Sequence, residues 1–494
     1  MSKLVNTRVV SSAACAAAMA ICSLSLHAQD VPATNPAAPV RTEASTVPAV
    51  AEPGTVDPST VAERQPPSQS DAEPTARVRS EDTRPQAADV GSQDFLLGTP
   101  ATDRMRRPPS DNLLMRLAGG NEPDSKLHQS GLVLSGYAQV GYTYNPDRSD
   151  GDIIFGRVFD DEYGNAPQLD QIELSVHRRA RRDRFDVGGR VEVIWGYDTF
   201  RIHSNGLDAY GGCDEDEPNP DKEAHDPRHQ FDLTQAYLDV NFEVGTGLLL
   251  RVGKFVTPLG YETIDPTSTP FYSRSYLFGF AKPFTHTGAL ANYRLNEEWE
   301  VWGGVVRGWD QALEDTNDSV SFLGRVDWRP DPQWNFRLGV ITGKEGSECD
   351  CGCTGNDETR TLIDFIATHA VTDRFALGVE ALYGVGSRSD ENNGSAQWYG
   401  MAGYASYALT PAAALNARLE WFRDENGTRL RTGSSLELTS LTVGLSIAPF
   451  QSDSRLNGLK IQPEIRYDHA SNPEFDGGTE RDQITLGVGV LYAF

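Results

Sequence analysis

Three patterns predict an all-β fold, a transmembrane antiparallel β-barrel of about sixteen strands. From Gly131 onward the chain falls into runs of ~9 to 13 residues in which apolar and polar side chains alternate, the length that a tilted membrane-spanning strand requires. The connections between runs are short and long in strict turn. The last run ends at Phe494, and Tyr492, Val490, Val488 and Leu486 share its apolar face.

Composition narrows the alternatives. Lys and Arg total 44 against 70 Asp and Glu, a net charge of −26, which argues against a nucleic-acid partner because a polyanion would be repelled. With 38% hydrophobic residues and a mean hydropathy of −0.45, the chain is too polar for a bundle of transmembrane helices. A barrel with a wet lumen reads this way, because only alternate strand residues face lipid.

In chain order, residues 1–28 carry Lys3 and Arg8, an apolar run from Val9 to Leu26, and a small residue at Ala28. This is the layout of a signal peptide cleaved after Ala28, since the run is too short and too Ser-interrupted for a transmembrane helix. Residues 29–128 shift to Pro, Ala, Thr, Ser, Glu and Val, with 13 of the 29 prolines between Asp30 and Ser110. Proline fixes φ and lacks an N–H, and no apolar period persists, so a disordered Pro/Ala-rich periplasmic linker is expected. Within it, Asp111–Leu117 has the pattern of two helical turns. The barrel is assigned to 129–494.

Short links fall near Arg181–Arg184, Gly245–Gly247, Leu295–Glu297, Arg329–Gln333, Ala370–Asp373, Thr410–Pro411 and Pro449–Arg455. Long ones fall at Asn145–Asp170, Gly196–Asp232, Val256–His286, Asp310–Ser319, Thr342–Arg360, Gly386–Ala396, Arg423–Ser435 and Ala470–Asp482. Periplasmic turns alternating with extracellular loops give this order in an outer-membrane barrel, whereas a soluble sandwich has no reason to segregate its loops.

Strand faces point the same way. Ile172, Leu174 and Val176 oppose Glu173, Ser175 and His177, while Val191, Val193 and Trp195 oppose Arg190 and Glu192. Ile461, Pro463, Ile465 and Tyr467 oppose Lys460, Gln462, Glu464, Arg466 and Asp468. Charges of both signs on one face suit a water-filled pore wall and not a dry core. Candidate wall residues are Arg190, Glu192, Arg251, Arg294, Arg418 and Glu420. Trp195, Trp309, Trp328, Trp334, Trp398 and Trp421 lie near strand ends and are expected in interfacial girdles.

The third long connection breaks the alternation. Gly253 to Gly288 reads GKFVTPLGYETIDPTSTPFYSRSYLFGFAKPFTHTG, and its eight Phe and Tyr rings would be costly to leave in water. It resembles the OmpL-like, type 2 family of β-barrel porins in three blocks. These are Gly253, Lys254, Phe255, Thr257, Pro258, Gly260 and Glu262; then Phe271 to Ser273 with Ser275 and Tyr276; then Pro283 to Gly288. The resemblance implies an outer-membrane barrel from about residue 130 and a loop that folds inward to narrow the pore. Tyr261, Glu262, Asp265, Tyr272, Arg274, Tyr276, Lys282 and His286 would form the constriction. Trimerisation is expected by analogy with porins. The final strand resembles the assembly signal read by the barrel insertion machinery, with Tyr492 and Phe494 as its key residues.

A catalytic barrel would need a Ser or water activated by a His that a carboxylate holds. His286, with Ser273, Ser275, Asp265 and Glu262 nearby, is the tempting set, but its motif matches the porin family, where it holds the loop against the wall. No enzyme activity, cofactor or metal is expected. Cys213, Cys349, Cys351 and Cys353 remain after signal removal, and an even count in an oxidising exterior favours two disulfides over a soft-metal site. Asp214 to Glu217, with Asp221, Glu223, His225, Asp226 and His229, reads as a solvated acidic loop that draws cations to the mouth.

The expected function is passive diffusion of small hydrophilic solutes or ions through a water-filled barrel in outer-membrane lipid, with the linker in the periplasm. The alternatives are a substrate-specific channel, in which Tyr261, Tyr272 and Tyr276 stack on a sugar, and a non-conducting structural outer-membrane protein.

Overall fold

The structure, a computed structural model, describes residues 112–146, 154–159, 164–207, 229–315, 317, 319–345, 358–387 and 395–494. The signal peptide, most of the linker, all four candidate disulfide cysteines and the acidic run of the second long connection lie outside these residues.

Sixteen strands form one closed antiparallel barrel. They are β1 (Leu132–Tyr144), β2 (Pro167–Arg178), β3 (Asp186–Gly196), β4 (Gln230–Phe242), β5 (Leu248–Val256), β6 (Thr285–Arg294), β7 (Trp299–Val306) and β8 (Ser321–Asp331). The second half is β9 (Trp334–Glu345), β10 (Glu358–Thr372), β11 (Phe375–Ser387), β12 (Ser395–Thr410), β13 (Ala413–Asp424), β14 (Leu436–Ile447), β15 (Leu459–Ala470) and β16 (Asp482–Ala493). Each strand pairs with its neighbour in sequence, and β1 closes on β16 from Tyr137↔Ala493 to Tyr144↔Leu486. Gly136 and Phe494 then exchange two backbone hydrogen bonds, at 2.9 and 2.8 Å.

The period-2 pattern sorts as lipid contact demands. Leu174, Val176, Val191, Leu238, Val252, Leu419 and Ile465 are exposed on the outer face, whereas Glu173, Ser175, Glu192, Asp239, Arg251, Arg418 and Arg466 are buried inside. Near the short turns, the rings of Trp299, Trp328, Phe336, Trp334 and His369 stack in series across β7 to β10, with successive centroids 3.9 to 5.4 Å apart. This is an aromatic girdle.

Trp309 and Trp398 depart from the expected girdle. Both are buried in the lumen, where their rings meet edge to face at 6.1 Å. Trp398 shares the inner face of β12 with Gly400, Ala402 and Tyr404, and the small residues there make room for it.

The stretch assigned to the linker also holds structure at its end. Helix α1 (Leu113–Leu117) is capped by Asn112, and α2 (Lys126–Ser130) by Ser125. Asn112 Nδ2 donates to Leu134 O at 2.6 Å and Leu134 N donates to Met115 Sδ at 3.2 Å. β1 extends past the last residue of β16 at this point, so α1 covers a strand edge that would otherwise be open.

Candidate functional site: the loop across the lumen

The segment between β5 and β6 enters the barrel. Its base is closed by Thr257 N donating to Phe284 O at 2.9 Å, and by Phe284 N and Thr285 N donating to Asp310 Oδ1 at 2.9 and 2.7 Å. His286 belongs to β6 itself, paired with Phe255, so the loop ends two residues earlier than its sequence indicates. Its ring lies between Gly308 O at 2.8 Å and Thr257 Oγ1 at 3.0 Å, at the root of the loop.

Beyond that root the loop runs around most of the wall. Arg325 on β8 donates to Pro258 O at 3.1 Å, and Gly260 N donates to Asp364 on β10 at 2.6 Å. Tyr261 stacks on Tyr404 of β12 at 3.9 Å. Asp265 caps a 3-10 turn at Pro266–Ser268 and stays half-buried. Lys460 and Gln462 on β15 donate to Thr267 O and Thr269 O, both at 2.9 Å, and Ser446 on β14 donates to Pro270 O at 2.8 Å. Tyr272 Oη reaches Asp170 on β2 at 3.2 Å, while Tyr272 N and Ser273 N donate to Glu464 at 3.0 and 3.2 Å.

Helix α3 (Tyr276–Phe280) follows, with Ser275 as its N-cap. Tyr276 N donates to Glu420 at 2.6 Å and Tyr276 Oη donates to Asp468 at 2.6 Å. On the return arm, Trp398 Nε1 donates to Ala281 O at 2.9 Å, and Lys282 Nζ donates to Glu262 O at 2.8 Å. Gly260, at φ +90°, lies directly under Lys282, so no side chain fits there.

Charge holds the middle of the loop. Arg418 donates to Glu262 at 2.7 Å and to Ser273 O at 2.8 Å, while Arg466 donates to Arg274 O at 2.7 Å and to Asp468 at 2.7 Å. Arg274 donates to the loop's own carbonyls at Thr263, Tyr272 and Ile264. Burial by itself raises the Glu262 carboxyl, but Arg418, Arg274 and the Ser275 N–H outweigh it and hold the group below the usual carboxylate range.

Glycines on the wall receive the loop's rings. A Cβ at Gly141 on β1 would sit 2.0 Å from Tyr272 Oη, and one at Gly489 on β16 would sit 2.6 Å from the same ring. A Cβ at Gly378 on β11 would meet the Tyr261 ring at 2.7 Å. Sequence reading missed these glycines and the carboxylates Asp170 and Asp364, and it placed Glu464 and Asp468 on the inner face without their role as loop anchors. Their signal was position, since each lies on the inward parity of its strand.

The wall charges pair with one another, both within a strand and across strands. Arg251 donates twice to Asp239 at 2.9 Å, and Asp327 accepts from Arg325 at 2.9 Å and Arg337 at 3.2 Å. Arg190 pairs with Glu192, and Arg418 and Arg466 flank Glu420 at 3.5 and 3.4 Å. Arg294 lies half-buried at the short-turn mouth.

Several solved porins resemble this chain at low identity. OmpT of Vibrio cholerae, solved as a trimer, aligns at 13% identity over 74% of this chain and 99% of its own, with a TM-score of 0.45. An anion-selective porin from Comamonas acidovorans aligns at 9% over 74% and 99%, also with a TM-score of 0.45. OprB of Pseudomonas putida aligns at 13% over 75% and 96%, again at 0.45. Comparison with curated proteins returns no match. The profile of the family described as "Putative beta-barrel porin-2, OmpL-like" covers residues 131–494, the whole barrel, and the chain belongs to that family of outer-membrane porins.

Proposed function

We propose that the protein is a narrow passive channel for small hydrophilic solutes or ions. One observation carries this reading: a buried loop between β5 and β6 crosses the lumen and is tied to the wall from β8 round to β2. A loop fixed at so many points sets a constant aperture, and size and charge then decide passage. Tyr261, Tyr272 and Tyr276 are buried, and Tyr272 and Tyr276 bond wall carboxylates, so they are not presented to a passing sugar. This favours general diffusion over specific binding. His286 contacts a carbonyl and a threonine hydroxyl, which fits a structural role and supports the view that the barrel does no chemistry on its solutes.

In this reading the residues before α1 form a periplasmic tether, the insertion machinery recognises the last strand, and three copies assemble as in the porins it resembles. Planar-bilayer recording tests the function. Small ohmic steps support it, currents blocked by one solute replace it with a specific channel, and no current from inserted protein overturns it in favour of a structural role.

A further inference from the structure

The chain is strongly acidic, yet the β2–β3 turn is not. From Arg178 through Asp186 stand five arginines against two aspartates, whereas the other six turns at that end of the barrel hold no more than one arginine or lysine each. Arg178 donates to Ser130 O at 3.0 Å and pairs with Asp186 at 3.0 Å, and Arg182 donates to Gly247 O and Asn292. Arg179, Arg181 and Arg184 are exposed, Arg181 beside an exposed Asp183 at 2.9 Å.

These three sit just beyond an apolar surface. Phe185, Val187, Phe242 and Val244 are exposed around the turn, and Leu174, Val176 and Val191 continue the band up the outer face. Phe185 and Phe242 meet edge to face at 6.1 Å. At about 3.3 Å per strand residue, the arginines lie within roughly 10 Å of the band's edge, and the phosphate layer of a bilayer occupies that depth. Guanidinium groups match phosphate in geometry, and their stems can lie along the apolar surface while the heads reach out.

We propose that the β2–β3 turn binds the phosphate headgroups of anionic phospholipids in the leaflet facing the short turns, through Arg179, Arg181 and Arg184. Phe185 and Phe242 hold the acyl boundary beneath them. The site fixes the barrel's depth at one point of its rim and enriches anionic lipid there. It requires that the barrel lie in a bilayer and is independent of conduction.

The test uses full-length protein in nanodiscs of phosphatidylglycerol and phosphatidylcholine in equal amounts, with retained lipids counted by native mass spectrometry. Wild type should keep phosphatidylglycerol several-fold over phosphatidylcholine. The triple variant Arg179→Gln, Arg181→Gln, Arg184→Gln should fall to parity, and the corresponding triple lysine variant should keep most of the excess. The single Arg184→Gln change, giving a partial loss, serves if the triple glutamine variant does not fold to a heat-modifiable barrel. Parity in wild type overturns the proposal, as does an excess that the glutamine variants retain. Wild-type parity together with dissociation of an oligomer in the triple glutamine variant would assign the surface to contact between copies instead.

Discussion

The Glu262 carboxylate and the Arg418 guanidinium meet at 2.7 Å with both side chains buried, one on the loop and the other on β13. The pair ties the loop across the lumen to the barrel wall. Removing one member leaves the other charged and out of water.

Glu262→Gln and Arg418→Met should therefore each loosen the loop at a cost of ~3–5 kcal/mol, and the double variant should cost less than either cost doubled. Single-channel recording should show larger and noisier steps for both single variants, with the barrel still resistant to unfolding in gels. Quiet, wild-type steps in both would remove the pair from its role. Because the Glu262 carboxyl is depressed in the folded state, its contribution is complete above the ordinary carboxylate range and is lost as pH falls through the folded value. Acid should make wild-type channels noisy and leave Glu262→Gln unchanged.

Gly141→Val should eject Tyr272 from its slot. The added Cβ would lie 2.0 Å from the phenol oxygen, and the ring is also hemmed in by β16 at Gly489. Overpacking of this kind costs about 1–3 kcal/mol or more. Protease should cut the loop in the folded variant and spare it in wild type. Equal resistance would show that the ring has another resting place.

Deletion of Phe494 removes both bonds to Gly136 and the ring that lies against it. Barrel closure should slow, and the folded fraction measured by gel mobility in cells should drop. A normal yield would separate the terminal residue from assembly.

Ion preference should be weakly cationic and fade with salt. Acidic residues outnumber basic ones in the long loops, and a fixed mouth charge acts over a Debye length of ~10 Å at 0.1 M. Asp265 is half-buried while Glu262 is neutralised by Arg418. Asp265→Asn should therefore shift the reversal potential in a KCl gradient further toward anions than Glu262→Gln does. Strong anion selectivity in wild type would hand control to the wall arginines.

The barrel was legible because lipid on one side imposes a period of two that nothing else in the sequence competes with. All sixteen strands and the alternation of links were readable for that reason. The loop was legible as an element, from ring density and motif, but its seat was not. Trp398 looks the same near a strand end whether it faces lipid or lumen, and its parity with Gly400 and Ala402 was the available clue. Gly141 and Gly489 read as ordinary strand glycines until the Tyr272 ring that fills their space is known. Which carboxylate meets which loop group depends on how strands more than a hundred residues away are staggered, and no local pattern encodes that.

The meeting of β1 with β16 has a kinetic meaning. Fifteen of the sixteen strand pairs form between neighbours in sequence, so each can zip as soon as its hairpin exists, whereas the final pair joins the two ends of the barrel segment. Until it forms, the nascent sheet has two unpaired edges, each a template for a foreign strand. The entropy of joining such distant segments must be met before any bond at the seam compensates it. Closure is thus the late, committing step of biogenesis, and residues on either side of the seam govern how long the chain must be chaperoned.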